Sequence, residues 1–294
     1  MIAAPLSVIR IDAMLFFFKQ KGARRAGCAL FIAIVMSPFT MTRAQTVLTQ
    51  WSQGTLQLKL SPDLRTTLEP ALPDLAIAAQ KLQSILGQKA VPRPLVIWLL
   101  KTDAERDAVL LQLGYDPAKK PGRTLRSQDQ VIMVLSPMPD KSWISRYILT
   151  EYARYVLMTG APEDGMEWFR TGMAISLGWY VQEEIERGDW SSCVSKLEKY
   201  YRPKITDDAA LTVKKLSVPG AFKKALVDSD RSNLMARSVL LYVWCMKKRG
   251  PAGGVTVLNI WERERDLRAA LDRGADTTVD QLDAMLAEVT APAK

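Results

Sequence analysis

Four central polar side chains, Arg146, Thr150, Glu151 and Arg154, interrupt the largely apolar segment 142–158 and make it the strongest candidate for chemistry in this chain. Arg146, Thr150 and Arg154 recur at every fourth position, so a helix would place them in one line, with Glu151 beside that line. A carboxylate next to cationic side chains can serve as a general base or as one half of a buried ion pair. Because apolar residues surround the rest of the circumference, we predict a buried helix whose polar line faces a cleft or a polar partner.

The 294 residues include no histidine, and this excludes several classes of active site. Ser-His-Asp and Cys-His catalysis, HExxH zinc sites and facial-triad iron sites all require histidine. Three cysteines without a CxxC pair do not supply a thiolate zinc site. Carboxylate, Ser-Lys or Arg chemistry remains for an enzyme, but the sequence has no SxxK, GxSxG or glycine-rich phosphate loop. We therefore expect no metal and no cofactor.

A basic cluster followed by an apolar run is typical of a signal peptide. Lysines and arginines within 19–25 precede the apolar residues 26–39, and Thr42 and Ala44 supply small residues at the −3 and −1 positions of a cleavage site before Gln45. We expect residues 1–44 to be removed and the mature chain to be periplasmic or secreted. The alternative is an uncleaved N-terminal anchor, which is the only membrane contact that the sequence predicts.

Removal of residues 1–44 changes the charge of the chain. The segment holds six basic residues and one acidic residue, a net charge of +5, so the mature chain carries 9 − 5 = +4. These charges are interspersed, and neither a basic stripe nor a nucleic-acid reading motif is present, so no nucleic-acid partner is expected. A content of 48% hydrophobic and 24% charged residues is typical of a soluble globular protein.

Hydrophobic patterns predict a short sheet followed by many helices. The predicted strands are 55–60, 94–100 and 130–135. A helix over 74–87 ends at Gly87, and the capping box of Thr102 and Glu105 begins a helix over 103–113. Further helices are predicted over 141–158, 166–187, 191–200, 206–215, 231–249, 253–272 and 278–288. This order predicts an α+β fold with a small N-terminal sheet and a helical C-terminal part.

The predicted helix 166–187 combines small residues with acidic residues near its start. Its positions 172, 174, 176 and 178 are Gly, Ala, Ser and Gly, which permit a neighbouring helix to approach closely. Glu163, Asp164 and Glu167 cluster near the helix N-terminus, where acidic side chains interact favourably with the helix dipole. We expect a structural role for this acidic cluster.

The order of elements and two helical segments resemble the peptidase MA-like domains, zinc metallopeptidases of the gluzincin type. That family carries HExxH on the buried helix and a WLxEG segment on the next helix. Here 149–154 (LTEYAR) stands where LHExxH would be, and 167–174 (EWFRTGMA) stands where the second segment would be. The resemblance covers residues 50–290. It implies a zincin-like domain over 45–294, with the sheet and active-site-type helices in 45–187 and a helical subdomain in 188–294.

The departures from the family pattern determine the predicted function. The three zinc-ligand positions hold Thr150, Arg154 and Thr171, and only Glu151 remains, at the general-base position. A base without zinc-bound water has no nucleophile of the family's kind to activate, and a cationic Arg154 would repel a metal. The resemblance therefore implies an exported pseudo-metallopeptidase without a cofactor, acting as a binding or scaffold module for an unknown protein or peptide ligand.

Two alternatives remain open. The chain can be a hydrolase, either metal-free around Glu151 or peptidase-like with an unknown substrate, or a structural protein whose old cleft is filled by side chains. An open cleft at Glu151 would favour a binding or hydrolytic function, and a packed one the structural function. We predict that Arg154 lies beside Glu151 at i, i+3, with the hydroxyls of Thr150 and Thr171 contributing to the same site.

Buried cysteines and one buried arginine complete the set of candidates. Cys193 and Cys245 are the only cysteines of the predicted mature chain, and export would permit a disulfide between them. Free buried thiols are the other outcome, since sequence spacing does not determine disulfide geometry. Arg237 lies inside the apolar helix 231–249, where it needs a partner that the sequence does not name.

Overall fold

A computed structural model describes residues 48–87, 93–127, 129–137, 139–161, 163–186 and 189–291. The predicted signal peptide and the cleavage site between Ala44 and Gln45 lie outside the described residues. The described residues form one compact unit. In the part of the chain that is described, no helix is both long enough and apolar enough to span a membrane.

The strands of the described chain form one five-stranded sheet with the order β1-β2-β3-β5-β4. They are β1 (Thr49–Gln53), β2 (Leu56–Leu60), β3 (Leu95–Leu100), β4 (Thr124–Arg126) and β5 (Gln130–Val134). β2, β3 and β5 run parallel in the middle, and β1 and β4 are antiparallel edge strands. The three predicted strands are the inner ones, whose side chains are largely buried. The edge strand β1 carries mostly polar residues and β4 has only three residues, so their hydrophobic pattern is weak.

The helices of the described chain surround this sheet and continue beyond it. They are α1 (Pro62–Leu68), α2 (Leu72–Leu86), α3 (Asp103–Gln112), α4 (Lys141–Met158), α5 (Glu167–Glu186), α6 (Trp190–Tyr201), α7 (Val213–Leu216), α8 (Ala221–Asp228), α9 (Arg231–Met246), α10 (Gly253–Glu264), α11 (Leu267–Ala275) and α12 (Val279–Thr290). The α+β class is confirmed. Gly87 ends α2 with a φ of 72°, and the capping box of Thr102 and Glu105 begins α3, both as predicted.

The prediction of a helix over 206–215 is wrong, because the only helix in this range is the short α7, which begins at Val213. Arg237 donates from Nη2 to the carbonyl oxygen of Thr206 (2.6 Å) and from Nη1 to that of Leu211 (3.1 Å). Asn233 exchanges hydrogen bonds with the backbone of Thr206. These hydrogen bonds from α9 stabilise an irregular conformation of residues 206–211, and they outweigh the local preference of this segment for a helix. They also supply the partners that buried Arg237 requires.

The helix predicted over 253–272 is two helices, α10 and α11. Arg265 adopts a left-handed conformation with a φ of 53° and ends α10. Asp266 then caps α11, because its carboxylate accepts a hydrogen bond from the backbone N–H of Ala269 (3.1 Å). The N-capping aspartate is the sequence signal for the break.

α4 and α5 form the centre of the fold. α4 contacts α2, α5 and β3, and α5 also contacts α6 and α9. The close approach predicted from the small residues of α5 is confirmed at both ends of that stripe. A Cβ at Gly172 would overlap Ser238 of α9, and a Cβ at Gly178 would overlap Thr150 of α4. Glycine is therefore needed at both positions for helix packing.

Candidate functional site

Glu151 lies at the centre of the candidate site, on α4, with only 3% of its side chain exposed. Arg126, the last residue of β4, donates from Nε to Oε2 (2.8 Å) and from Nη2 to Oε1 (2.7 Å) of this carboxylate. Arg154, one helical turn beyond Glu151, donates from Nη1 to Oε1 (3.2 Å). Two guanidinium groups, from a strand and from a helix, therefore share one buried carboxylate.

Two aromatic side chains extend the site along the same face of α4. The Nη2 of Arg126 also donates to the hydroxyl of Tyr147 (2.6 Å). The Tyr147 ring stacks on Trp143, with centroids 5.3 Å apart and planes at 21°. Trp143 is exposed. Because positions 143, 147 and 151 are spaced by four residues, their side chains lie on one side of the helix. They form a row that begins at the exposed Trp143 and ends at the buried carboxylate of Glu151.

The electrostatics of the site keep Glu151 ionised. Burial alone would raise the pKa of its carboxyl, but hydrogen bonds from Arg126 and the charges of Arg154 and Arg126 lower the pKa overall. Burial works to lower the pKa of Arg126, but the hydrogen bond to Glu151 and the negative charge of that carboxylate together raise the pKa overall. Burial raises the pKa of Tyr147 to about 12, so this phenol is neutral. The ionised side chains of Glu151, Arg126 and Arg154 together carry one net positive charge.

A cavity of about 310 Å³ opens beside this cluster. Its apolar wall includes Leu95, Val131 and Met158, and its charged wall consists of Arg126, Glu151 and Arg154. A volume of this size is at the lower end of the range for small-ligand pockets. The cleft at Glu151 is therefore open rather than filled by side chains.

A cavity of similar volume, about 320 Å³, lies between α2 and α4. Its charged lining residues are Asp74 and Lys141, one of each sign. Nothing in its lining concentrates charge of one sign, so we place the candidate site at Glu151.

The structure brings together only some of the residues that the sequence suggested. Arg154 pairs with Glu151 at i, i+3, as predicted. Thr150 instead packs against Gly178, and Thr171 is buried seven residues earlier on α5, about 10 Å along the helix axis. Among the described residues, no hydrogen bond joins either threonine to the Glu151 carboxylate. The expected contribution of their hydroxyls to this site is therefore not found.

Arg126 and Tyr147 were missed by the sequence reasoning. Arg126 lies in a three-residue edge strand, 25 residues from Glu151, and no local spacing links the two. The available signal was the alternation of polar and apolar residues at 124–126, which is too short to define a strand. Tyr147 sits in an apolar helix segment, where an aromatic residue is indistinguishable from core.

The remaining candidates lie away from the cavity. Arg146 faces Glu183 (3.6 Å) instead of Glu151. Cys193 and Cys245 are free, buried thiols, so the disulfide left open by the sequence is not formed. Burial raises the pKa of each thiol to about 12. Among the described residues, no three His, Cys, Asp or Glu side chains are grouped closely enough to hold a metal ion.

Asp164 forms a second carboxylate cluster with two arginines. Arg170 donates from Nη1 to Oδ1 (2.6 Å) and from Nη2 to Oδ2 (2.8 Å). Trp261 Nε1 (2.7 Å) and Arg265 Nη1 (3.1 Å) also donate to Oδ2. Burial works against the ionised form, but hydrogen bonds from Arg170 and Trp261 lower the pKa of Asp164 overall. This contact joins the start of α5 to α10, which fits the structural role predicted for the acidic cluster.

Comparison of the chain with protein-family models gives no match, and no curated protein matches it. The peptidase MA-like assignment therefore stays a prediction that depends on the order of elements and on the residues at 149–154 and 167–174.

Proposed function

We propose that this chain is an exported, degenerate member of the peptidase MA-like family that binds a peptide or protein segment without cleaving it. The observation that supports this proposal is the arrangement of Glu151, whose two carboxylate oxygens both accept hydrogen bonds from Arg126. The position that the family uses for its general base is occupied by an ion pair, and the cavity next to it is open.

Glu151 is poorly suited to act as a general base. An efficient base has a pKa near the working pH and a free lone pair directed at the proton that it accepts. Here the arginines lower the pKa of Glu151 and direct N–H groups at both of its oxygens. A metal-free hydrolase is therefore the second candidate, favoured only by the open cavity beside Glu151.

The edge strand β4 offers backbone groups to an extended ligand. The N–H of Ser127 donates to the carbonyl of Gln130, and the N–H of Val134 donates to the carbonyl of Arg123. In an antiparallel pair these bonds alternate, so the backbone groups of Thr124 and Arg126 point away from β5. β4 is last in the strand order, and among the described residues no backbone group pairs with its outer edge. An added peptide strand would therefore meet donors and acceptors at the edge where Arg126 enters the site.

A retention experiment tests binding against cleavage. The chain without residues 1–44 is incubated with a diverse peptide mixture, and mass spectrometry identifies the peptides retained on the protein and any new peptide termini. We expect retained peptides without new termini, and weaker retention by Thr124→Pro, which removes an outward N–H but no bond to β5. Cleavage that Glu151→Gln abolishes would establish the hydrolase. Absence of retention would favour the structural function.

Export is tested separately by the intact mass of the product. We expect the secreted or periplasmic protein to begin at Gln45. A cytoplasmic product that retains residues 1–44 would contradict this part of the proposal.

A further inference from the structure

The charges that line the cavity beside Glu151 are not balanced. Arg126 and Arg154 contribute two positive charges, and Glu151 contributes one negative charge. Arginine stays protonated in proteins, so this excess is permanent. One monovalent anion in the cavity would neutralise it.

Arg154 has hydrogen-bond donors available for such an anion. Its Nη1 donates to Glu151, but Nε and Nη2 have no acceptor among the described residues. Arg126 differs, because its Nε and Nη2 are engaged by Glu151 and Tyr147. The side chain of Arg154 is 23% exposed and borders the cavity, so its unused N–H groups are accessible to a ligand.

The surroundings of Arg154 also favour an anion. Burial lowers the pKa of Arg154, and the positive charges of Arg126 and Arg231 lower it further. The negative charge of Glu151 raises this pKa, but not enough to offset the other effects. An additional negative charge next to Arg154 would reduce this repulsion. Arg231 begins α9, so the helical part of the fold adds to the positive potential at the cavity.

We propose that the cavity binds a carboxylate that carries an apolar group, with its oxygens accepting hydrogen bonds from Arg154 and its apolar group against Leu95, Val131 and Met158. A guanidinium fork matches a carboxylate in geometry and in charge. A phosphate dianion fits less well, because it would leave one negative charge uncompensated among these apolar side chains. The carboxylate can be the C-terminus of a peptide aligned on β4, in which case this inference rests on the proposed function, or a free organic acid.

Matched pairs of ligands test the proposal by isothermal titration calorimetry. The probes are N-acetyl-leucine, N-acetyl-Ala-Ala-Leu and the C-terminal amide of each, which differ from the acids only in the anionic group. We expect the acids to bind wild type at least about tenfold more tightly than the amides, the factor typical of a hydrogen bond to a charged group. Inorganic phosphate serves as the competing anion and is expected to bind more weakly than the acids.

Two substitutions locate the interaction. Arg154→Gln should remove the preference for acid over amide. Arg146→Gln should preserve it, because Arg146 lies on the same helix with similar exposure (24%) but pairs with Glu183 outside the cavity. Arg154→Lys keeps the positive charge without the guanidinium fork, and it should retain a reduced preference. This variant keeps the test decisive if Arg154→Gln does not fold.

The outcomes separate this inference from the proposed function. Tight binding of the tripeptide acid alone supports a peptide C-terminus as the ligand. Equal binding of both acids supports a free organic acid, and the carboxylate site then stands although the peptide function fails. Equal binding of acids and amides, a preference that survives Arg154→Gln, or tighter binding of phosphate would overturn the inference, while peptide retention in the first experiment would stand.

Discussion

Glu151 and Asp164 are both carboxylates held by two arginines, but their surroundings differ. At Asp164 the principal partner, Arg170, is 1% exposed, and Trp261 and Arg265 cover the remaining face. At Glu151 the partners Arg126 and Arg154 are 31% and 23% exposed, and a cavity lies beside them. The two carboxylates are similarly buried, but the principal arginine of one cluster is enclosed, whereas both arginines of the other line an open cavity.

This difference separates a structural ion pair from a candidate recognition site. Both clusters leave a guanidinium Nε without an acceptor among the described residues, on Arg170 and on Arg154. The Nε of Arg170 is sealed inside the protein, so no ligand can reach it. The Arg154 side chain, in contrast, lines the cavity and is 23% exposed. Buried charge alone therefore does not define a candidate site, whereas buried charge with accessible, unused donors does.

The largest expected effect is at the enclosed cluster. Arg170→Met should lower the free energy of unfolding by about 3–5 kcal/mol, because Asp164 would keep a buried charge without its main partner. Urea unfolding followed by circular dichroism measures the loss. Arg265→Ala is the matched control: Arg265 pairs with the same carboxylate but is 51% exposed, and about 0–1 kcal/mol is expected. Equal losses from the two substitutions would contradict the distinction by burial.

A smaller loss is expected at the open cluster. Arg126→Met should cost about 2 kcal/mol, since it removes two hydrogen bonds to the Glu151 carboxylate, while Arg154 and water that enters the adjoining cavity can still stabilise that charge. Arg154→Gln should cost less, about 1 kcal/mol, because Arg154 makes one longer hydrogen bond to Glu151. Glu151→Gln combined with Arg126→Met should recover part of the loss in a double-mutant cycle. A larger loss from Arg154→Gln than from Arg126→Met would reverse the assigned roles.

The pH dependence of stability should also separate the clusters. The pKa of Asp164 is lowered in the folded protein, so as the pH falls the unfolded chain takes up the proton first. The stabilisation is complete above the unfolded pKa of about 3.9, and about 1 kcal/mol should be lost between about pH 5 and about pH 3. Urea titrations of Asp164→Asn should show a weaker pH dependence over this range. The pKa of Glu151 is also lowered, so Glu151→Gln should weaken the dependence as well, but less than Asp164→Asn does. A larger effect of Glu151→Gln would assign the dependence mainly to the open cluster.

The smallest expected change concerns the aromatic partner at the open cluster. Tyr147→Phe removes a hydroxyl that accepts a hydrogen bond from Arg126, and the net cost should be about 0.5 kcal/mol. Tyr115→Phe, at an exposed tyrosine, is the control and should leave the unfolding midpoint unchanged. A loss at Tyr147 as large as that for Arg126→Met would show that the hydroxyl, rather than the carboxylate, positions Arg126.

The sequence predicted the elements whose hydrophobic pattern is strong and the contacts that are local. The bounds of α4 are those predicted, and helical spacing was enough to pair Arg154 with Glu151. The edge strand β4 and its Arg126 were missed, because edge strands carry little apolar pattern and the contact with Glu151 is tertiary.

Long-range polar contacts account for the other failures. The segment 206–212 is held by side chains of α9, and these bonds outweigh the local preference for helix that the prediction used. The structural role of Asp164 was predicted, but its partners Trp261 and Arg265 lie about a hundred residues away. No spacing rule in a single sequence connects such positions.

The Asp164 cluster has a consequence for the order in which the chain matures during translation. Asp164 and Arg170 leave the ribosome close together, but Trp261 follows Asp164 by 97 residues and Arg265 by 101. At synthesis rates of about 5–20 residues per second, Trp261 and Arg265 are therefore synthesised several seconds after Asp164 and Arg170. Until Trp261 and Arg265 have been synthesised, Asp164 lacks the two hydrogen bonds that these residues donate in the folded chain. The end of α10 thus supplies the last hydrogen bonds to a carboxylate that was synthesised about a hundred residues earlier.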